Sequence, residues 1–216
     1  MRIAVSGADS SGRTSTVTAL SYYTGMPRTL APPIHHTLSE TLPGTPLADV
    51  TPAQFLQLTL RRHTARAVQE ALLGDHFVSD GSSLQEWLHA AARVMYGMNP
   101  AAKRGQVART PDEMIFFARV VEQYGQAVKA HVETTYDAYV HVPSAPPAEP
   151  YQATMDQLLL VTLDDLHIPH HVAEGPLTTR LKTIADHYAL RPVMTAEEAI
   201  ERAHETPHPK RVPTPA

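Results

Sequence analysis

The sequence contains no cysteine. This absence excludes a disulfide scaffold, a thiol nucleophile, an iron–sulfur cluster and any zinc site that is built on cysteine. A strong excess of one charge is also missing, because 18 basic residues stand against 22 acidic ones and the formal net charge is −4. General nucleic-acid binders and proteins that adhere to anionic membranes carry an excess of basic residues, so this net charge argues against both classes.

Long apolar segments are absent as well. No uninterrupted run approaches the roughly 18–20 residues that a membrane-spanning helix needs, and the first residues reach Ser6 and Gly7 before a signal-peptide core could form. We therefore expect a cytoplasmic protein without nucleic-acid or membrane partners. Apolar residues nevertheless make up 43% of the 216 residues, which suffices for one domain with a full core.

Short apolar segments typical of buried strands alternate with longer segments of helical periodicity. The expected strands are 3–5, 28–30, 76–80, 137–142 and 170–172. The expected helices are 15–23, 51–74, 84–91, one that begins at 110, 151–166, one that follows 176, and 196–203. This alternation predicts the α/β class, with a parallel sheet of about five strands between two layers of helices.

The remaining segments are predicted to be irregular. Residues 31–50 and 97–110 lack periodic apolar positions and should form loops, and the proline-rich residues 204–216 should be a disordered tail. Residues 1–203 should therefore form a single three-layer domain. The sequence leaves open whether the protein is a homodimer.

A glycine-rich segment follows the first strand. The phosphate-loop pattern G-x-x-x-x-G-K-[ST] is matched by Gly7-Ala8-Asp9-Ser10-Ser11-Gly12-Arg13-Thr14, except that arginine replaces lysine. In such a loop, backbone N–H groups and the positive end of the next helix face an anion. The predicted ligands of the ATP or GTP phosphates are Gly7, Ala8, Ser10, Ser11, Gly12, Arg13, Thr14 and Ser15. An ordinary strand-to-helix turn is the alternative.

Two carboxylates are candidates for the chemistry, together with Arg13. Asp80 ends an apolar strand segment, at the sheet edge where ligand crevices open. It could bind Mg²⁺ with the Thr14 hydroxyl or act as a base toward an acceptor hydroxyl, and a helix N-cap is its structural alternative. Asp9 lies inside the loop, where its carboxylate could face the acceptor. We therefore predict Arg13, Asp80 and Asp9 as the catalytic set, with Mg²⁺ on Thr14 and Asp80.

Further segments accompany the phosphate loop. They are Phe77-Val78-Ser79-Asp80, Tyr136-Asp137-Ala138-Tyr139-Val140 and Ile168-Pro169-His170-His171-Val172-x-x-Gly175. Over about residues 1–190, this series resembles the AAA-type ATPase and kinase domains that are similar to nicotinamide riboside kinases, within the nucleoside and nucleotide kinase superfamily. The resemblance implies a five-stranded parallel sheet, a nucleoside triphosphate with Mg²⁺, and phosphoryl transfer to a small hydroxylated acceptor.

The sequence departs from that group at two places. Arg13 stands where lysine is usual, and residues 144–179, which replace an arginine-bearing lid, contain neither lysine nor arginine. Arginine favours bidentate contacts, whereas phosphoryl transfer depends on accurate positioning. The leading prediction is therefore a small-molecule kinase. The alternatives are a nucleotide-binding regulatory or partner-docking protein with little turnover, and a site rebuilt for another phosphorylated ligand.

Other basic residues are candidates for the same site. In the loop 97–110, Lys103, Arg104 and Arg109 would form either a lid over the phosphates or a solvated segment. Similar kinases place the helix that carries Arg61, Arg62 and Arg66 beside the acceptor, and Arg180 begins a late helix. The 13 histidines show no recognisable zinc pattern, since neighbours such as His35-His36 and His170-His171 would point to opposite faces of a strand.

Overall fold

The computed structural model describes residues 1–8, 11–30, 32–100, 110–143 and 149–206. Its strands are β1 (Arg2–Ser6), β2 (Arg28–Leu30), β3 (Phe77–Asp80), β4 (Ala138–His141) and β5 (His170–Val172). They form one parallel sheet in the order β2-β3-β1-β4-β5. The predicted five-stranded parallel sheet is therefore confirmed.

Eight helices lie in the described part of the chain. They are α1 (Arg13–Thr24), α2 (Ile34–Thr41), α3 (Pro52–Leu73), α4 (Ser83–Tyr96), α5 (Pro111–Thr135), α6 (Pro150–Asp165), α7 (Leu177–His187) and α8 (Ala196–Glu205). The local sequence explains where several begin: Thr51, Thr110 and Thr195 each close a capping box with the residue three positions later. None of these helices combines the length and apolar composition that a bilayer crossing requires.

The alternation of side chains along β1 separates two hydrophobic cores. Ile3 and Val5 pack with α1, α7 and α8, whereas Ala4 packs with the residues of α3, α4, α5 and α6. Because both faces of the sheet are covered, the central strand β1 carries buried apolar side chains on both sides. The three-layer α/β class expected from the sequence is confirmed.

One predicted loop contains a helix. Within residues 31–50, which were expected to be irregular, the chain forms α2 and a short 3₁₀ helix at Leu47–Asp49. The prediction was wrong here because α2 is only eight residues long and buries only Thr37 and Leu38, so its periodic signal is weak.

Helix α8 extends two residues past the expected domain boundary, to Glu205. That boundary, after residue 203, falls inside α8, and Thr206 contacts the Tyr22 hydroxyl at 3.0 Å. Residues 207–216 lie outside the described residues.

Close packing of α4 on α5 depends on Gly125. A Cβ atom at this position would lie 2.5 Å from Nε1 of Trp87, which donates a hydrogen bond to the Val121 carbonyl at 3.1 Å. We expect Gly125→Ala to lower the free energy of unfolding by about 1–3 kcal/mol, because Trp87 is held in a filled core and must move. Urea unfolding would measure the loss. An unchanged midpoint would show that the two helices can separate freely.

Candidate functional site

The glycine-rich loop begins where β1 ends. Gly7 has φ 155°, and a Cβ atom there would collide with the Val142 carbonyl oxygen, so this turn requires glycine. Gly12 has φ 86° and is the N-cap residue of α1, whose first turn has neither a side-chain cap nor an acidic residue. No side chain of the described residues caps the N–H groups of that turn, and such groups at a helix N-terminus are suited to binding an anion.

Asp80 joins the two residues that follow the loop. Its Oδ1 accepts a hydrogen bond from Arg13 Nε at 2.5 Å, and its Oδ2 accepts one from the Thr14 hydroxyl at 2.7 Å. Asp80 is only 3% exposed, so the attraction between the two charges is screened by solvent less than it would be at the surface. The three predicted residues Arg13, Thr14 and Asp80 are brought together by the adjacency of β1 and β3.

Further hydrogen bonds to backbone carbonyl groups hold Arg13 and Asp80 in this arrangement. The Gly7 carbonyl accepts hydrogen bonds from Arg13 Nη1 at 2.8 Å and from Gln85 Nε2 at 2.7 Å. The Asp80 carbonyl accepts one from Arg66 Nη1 at 2.7 Å. Because Ser82, and not Asp80, is the N-cap residue of α4, the structural alternative for Asp80 is not realised.

The oxygen atoms of Thr14 and Asp80 are suited to Mg²⁺. A hydroxyl and a carboxylate are hard ligands, and Mg²⁺ in kinase sites takes its other ligands from water and substrate phosphates. In the described segments no three His, Asp or Glu side chains converge as a metal cluster. Of the histidines noted in the sequence, His36 approaches Glu40 at 3.6 Å and His171 stacks on His187.

The structure describes some of the other predicted phosphate ligands. Ala8 and Ser11 are buried at the loop, Gly12 and Ser15 are half-buried, and the Ser11 hydroxyl has no hydrogen-bond partner in the described residues. Asp9 and Ser10 lie outside the described residues, as do Lys103, Arg104 and Arg109, so their predicted roles stay predictions.

Arg180 reaches the loop from a distant part of the chain. It lies in the first turn of α7, and its Nη1 donates a hydrogen bond to the Ser11 carbonyl at 3.1 Å. The same nitrogen is 3.0 Å from the position that a Cβ atom of Gly12 would occupy. Gly12 thus leaves room for this guanidinium group.

A buried network of charged residues lies behind Asp80. Arg62 binds both carboxylate oxygens of Glu86, at 2.7 and 2.9 Å, and also donates to the Pro32 carbonyl. Arg66 approaches the same carboxylate at 3.4 Å. Burial opposes ionisation of Glu86, but the charges of Arg62 and Arg66 and the hydrogen bonds from Arg62 lower its pKa to about 2. Glu86 is therefore a fixed anion and a poor proton acceptor.

Sequence reasoning missed a second carboxylate in this network. Glu70, 2% exposed, accepts hydrogen bonds from the Ser79 hydroxyl at 2.5 Å and from the Tyr136 hydroxyl at 2.7 Å. Burial, followed by the nearby charge of Glu70, raises the pKa of Tyr136. The sequence does contain a signal for Glu70. Every fourth residue of α3 falls on one face of the helix, and on that face the apolar Leu58 is followed by the charged residues Arg62, Arg66 and Glu70.

An open groove of about 800 Å³ lies between α2, α3 and α5. Leu56, Leu60, Phe116 and Val120 supply its apolar walls. The polar side chains that line it are Thr37, Glu40, Gln57, Arg61, Arg62 and Thr64. Arg62 therefore connects the groove to the charged network behind Asp80.

The three-dimensional arrangement is similar to solved kinase structures. Deoxyadenosine kinase from M. mycoides with bound dATP superposes with a TM-score of 0.58 and 13% identity, over 88% of this chain and 100% of that one. The chain has the fold of this kinase. With dCTP bound, the M. mycoides enzyme gives a TM-score of 0.57 at 13% identity, over 88% of this chain and 99% of that chain.

The same enzyme with the products dCMP and a flexible dCDP gives a TM-score of 0.54 at 12% identity, over 88% of this chain and 99% of that chain. Neither the protein-family models nor the curated protein sequences yield a match. The finer resemblance to nicotinamide riboside kinases and AAA-type domains stays a prediction.

Proposed function

We propose that this protein is a P-loop kinase that transfers the γ-phosphoryl group of ATP to a hydroxyl of a nucleoside or a related small metabolite. The observation that carries the proposal is the Asp80 carboxylate, which joins Arg13 and Thr14 directly after the glycine-rich loop. Similarity in fold to deoxyadenosine kinases supports the same reaction class.

Each loop residue has a distinct role in this proposal. The N–H groups at the start of α1 and the guanidinium of Arg13 bind the phosphates. Thr14 and Asp80 would hold Mg²⁺, which neutralises charge on the transferred group when it is bound. Asp80 is the catalytic carboxylate, because Glu86 is too weak a base at a pKa of about 2.

The groove between α2, α3 and α5 is the proposed acceptor site. Leu56, Leu60 and Phe116 offer apolar surface of the kind that packs against a planar ring, while Gln57 and Glu40 can hydrogen-bond to its edge. Such a mixture suits a nucleoside better than a simple sugar, which has little apolar surface.

A phosphorylation screen tests the proposal. We expect purified protein with ATP and Mg²⁺ to phosphorylate at least one compound from a panel of deoxyribonucleosides, ribonucleosides, nicotinamide riboside, sugars and amino alcohols, as detected by mass spectrometry. Asp80→Asn should abolish product formation, since the neutral amide cannot replace the carboxylate. The matched control is Asp75→Asn, at an exposed position between α3 and β3, which should retain activity.

Two outcomes would contradict the proposal. If ATP binds but no acceptor is phosphorylated, the kinase assignment fails and the regulatory alternative gains support. If neither ATP nor GTP binds, the glycine-rich loop is only a turn between β1 and α1.

A further inference from the structure

Arg180 has no acidic partner among the residues that the structure describes. The other arginines near the site are paired: Arg13 with Asp80, and Arg62 and Arg66 with Glu86. No acidic side chain of the described residues lies within 4.0 Å of Arg180. Its Nε atom is buried without a hydrogen-bond partner in that same part of the chain. A partly buried guanidinium with no counter-charge is unusual, because desolvating an unpaired ion is costly.

The phosphate loop needs more positive charge than Arg13 provides. A nucleoside triphosphate carries several negative charges, whereas the charge of Arg13 is already balanced by Asp80. The chain from residue 144 to residue 179, including all of α6, has no lysine or arginine. Arg180 is the first basic residue after this segment, and it is positioned against Ser11 and Gly12.

We propose that Arg180 is a nucleotide-binding residue whose guanidinium contacts the phosphate chain of ATP. This inference rests on the proposed function, because it concerns the nucleotide side of the same site. One Nη1 hydrogen bond anchors Arg180 to the Ser11 carbonyl, and the Nη2 donors of the guanidinium fork stay available for phosphate oxygens. Burial lowers the pKa of Arg180.

The experiment compares Arg180→Ala and Arg180→Lys with the wild-type protein by calorimetric titration of ATP–Mg²⁺. We expect Arg180→Ala to weaken binding by about 10- to 100-fold, which is the effect of losing charge-assisted hydrogen bonds to phosphate. Arg180→Lys should recover most of that affinity, because it keeps the charge. The matched control is Lys182→Ala on the same helix, since Lys182 is exposed and its ammonium group lies 3.8 Å from the exposed Glu197.

Salt dependence separates phosphate contact from a merely structural role. If Arg180 touches phosphate, the affinity of Arg180→Ala should depend less steeply on sodium chloride concentration than that of the wild type, since a screened charge contact is gone. If Arg180 only supports Ser11, affinity should fall by the same factor at every salt concentration and lysine should not rescue it. That second result would overturn the inference.

The remaining outcomes distinguish this inference from the kinase proposal. Equal ATP affinity in the wild type and Arg180→Ala would overturn the role of Arg180 while leaving a kinase possible. Arg180-dependent ATP binding without transfer to any acceptor would support Arg180 as a nucleotide ligand and reject the kinase. Absence of nucleotide binding in the wild type would overturn both.

Discussion

Arg13→Ala should weaken ATP–Mg²⁺ binding by about 10- to 100-fold, as expected for the loss of charge-assisted hydrogen bonds worth about 1.5–3 kcal/mol. The substitution should also lower stability, because Asp80 is 3% exposed and would lose its ion-pair partner while it stays buried beside the Thr14 hydroxyl. Calorimetric titration and thermal unfolding of the same preparations measure the two effects.

A double variant separates these two consequences of losing Arg13. In Arg13→Ala/Asp80→Asn the unpaired carboxylate is removed, so the melting temperature should recover a large part of what Arg13→Ala loses. ATP affinity should not recover, since the phosphate contact is still missing. If ATP affinity is the same in the wild type and Arg13→Ala, the loop does not bind phosphates.

Arg13→Lys tests whether the site is built around a guanidinium. The Nε and Nη1 atoms of Arg13 contact two separate partners, Asp80 and the Gly7 carbonyl. A lysine ammonium is a single point charge and cannot reproduce this fork. We therefore expect ATP affinity to fall by roughly tenfold. Equal or higher affinity would mean that arginine is only a tolerated replacement in an ordinary phosphate loop.

Local sequence signals account for most of the secondary structure. The Thr51-Pro52 and Thr110-Pro111 pairs predicted the starts of α3 and α5, and both pairs begin capping boxes in the structure. The strand, glycine-rich loop and helix at the N-terminus were predictable because each has its own local pattern. The position of Asp80 at the end of β3 was predictable for a similar reason, since it closes a short apolar segment.

Contacts between distant residues could not be predicted in the same way. Arg13 meets Asp80 over a separation of 67 residues because β3 lies beside β1 in the sheet, and strand order leaves no local mark in the sequence. Arg180 reaches Ser11 over 169 residues. The sequence therefore offered Arg13, Asp80 and Arg180 as candidates, but it did not show that Arg13 pairs with Asp80 or that Arg180 has no acidic partner in the described part of the chain.

The core of this protein also contains charged residues, which the apolar content of the sequence does not reveal. Arg66, Glu70 and Glu86 are each at most 4% exposed, although charged residues are usually placed at the surface. They are tolerated because each is paired or hydrogen-bonded. This network fixes α3 against β3 and α4, and so holds Asp80 in place.

Glu86→Gln should be among the most destabilising single substitutions in this chain. The neutral amide would leave Arg62 and Arg66 buried without their shared carboxylate, a change that typically costs about 3–5 kcal/mol. For a chain of this length, each kcal/mol lowers the melting temperature by about 2–4 °C, so a decrease on the order of 10 °C is expected. The control is Glu122→Gln, at an exposed position of α5, which should melt like the wild type.

The acid limb of the stability profile supplies an independent test of the same network. The pKa of Glu86 is lowered from 4.5 to about 2 in the folded protein, so its ionised form favours folding. This stabilisation, about 3 kcal/mol, is fully present above pH 4.5 and is lost as the pH falls toward 2. Urea unfolding of the wild type at several pH values should therefore show a decline between pH 5 and 2 that is shallower in Glu86→Gln. Parallel acid limbs in the two proteins, with equal stability at pH 7, would contradict the assignment of Glu86 as the anion that holds Arg62 and Arg66.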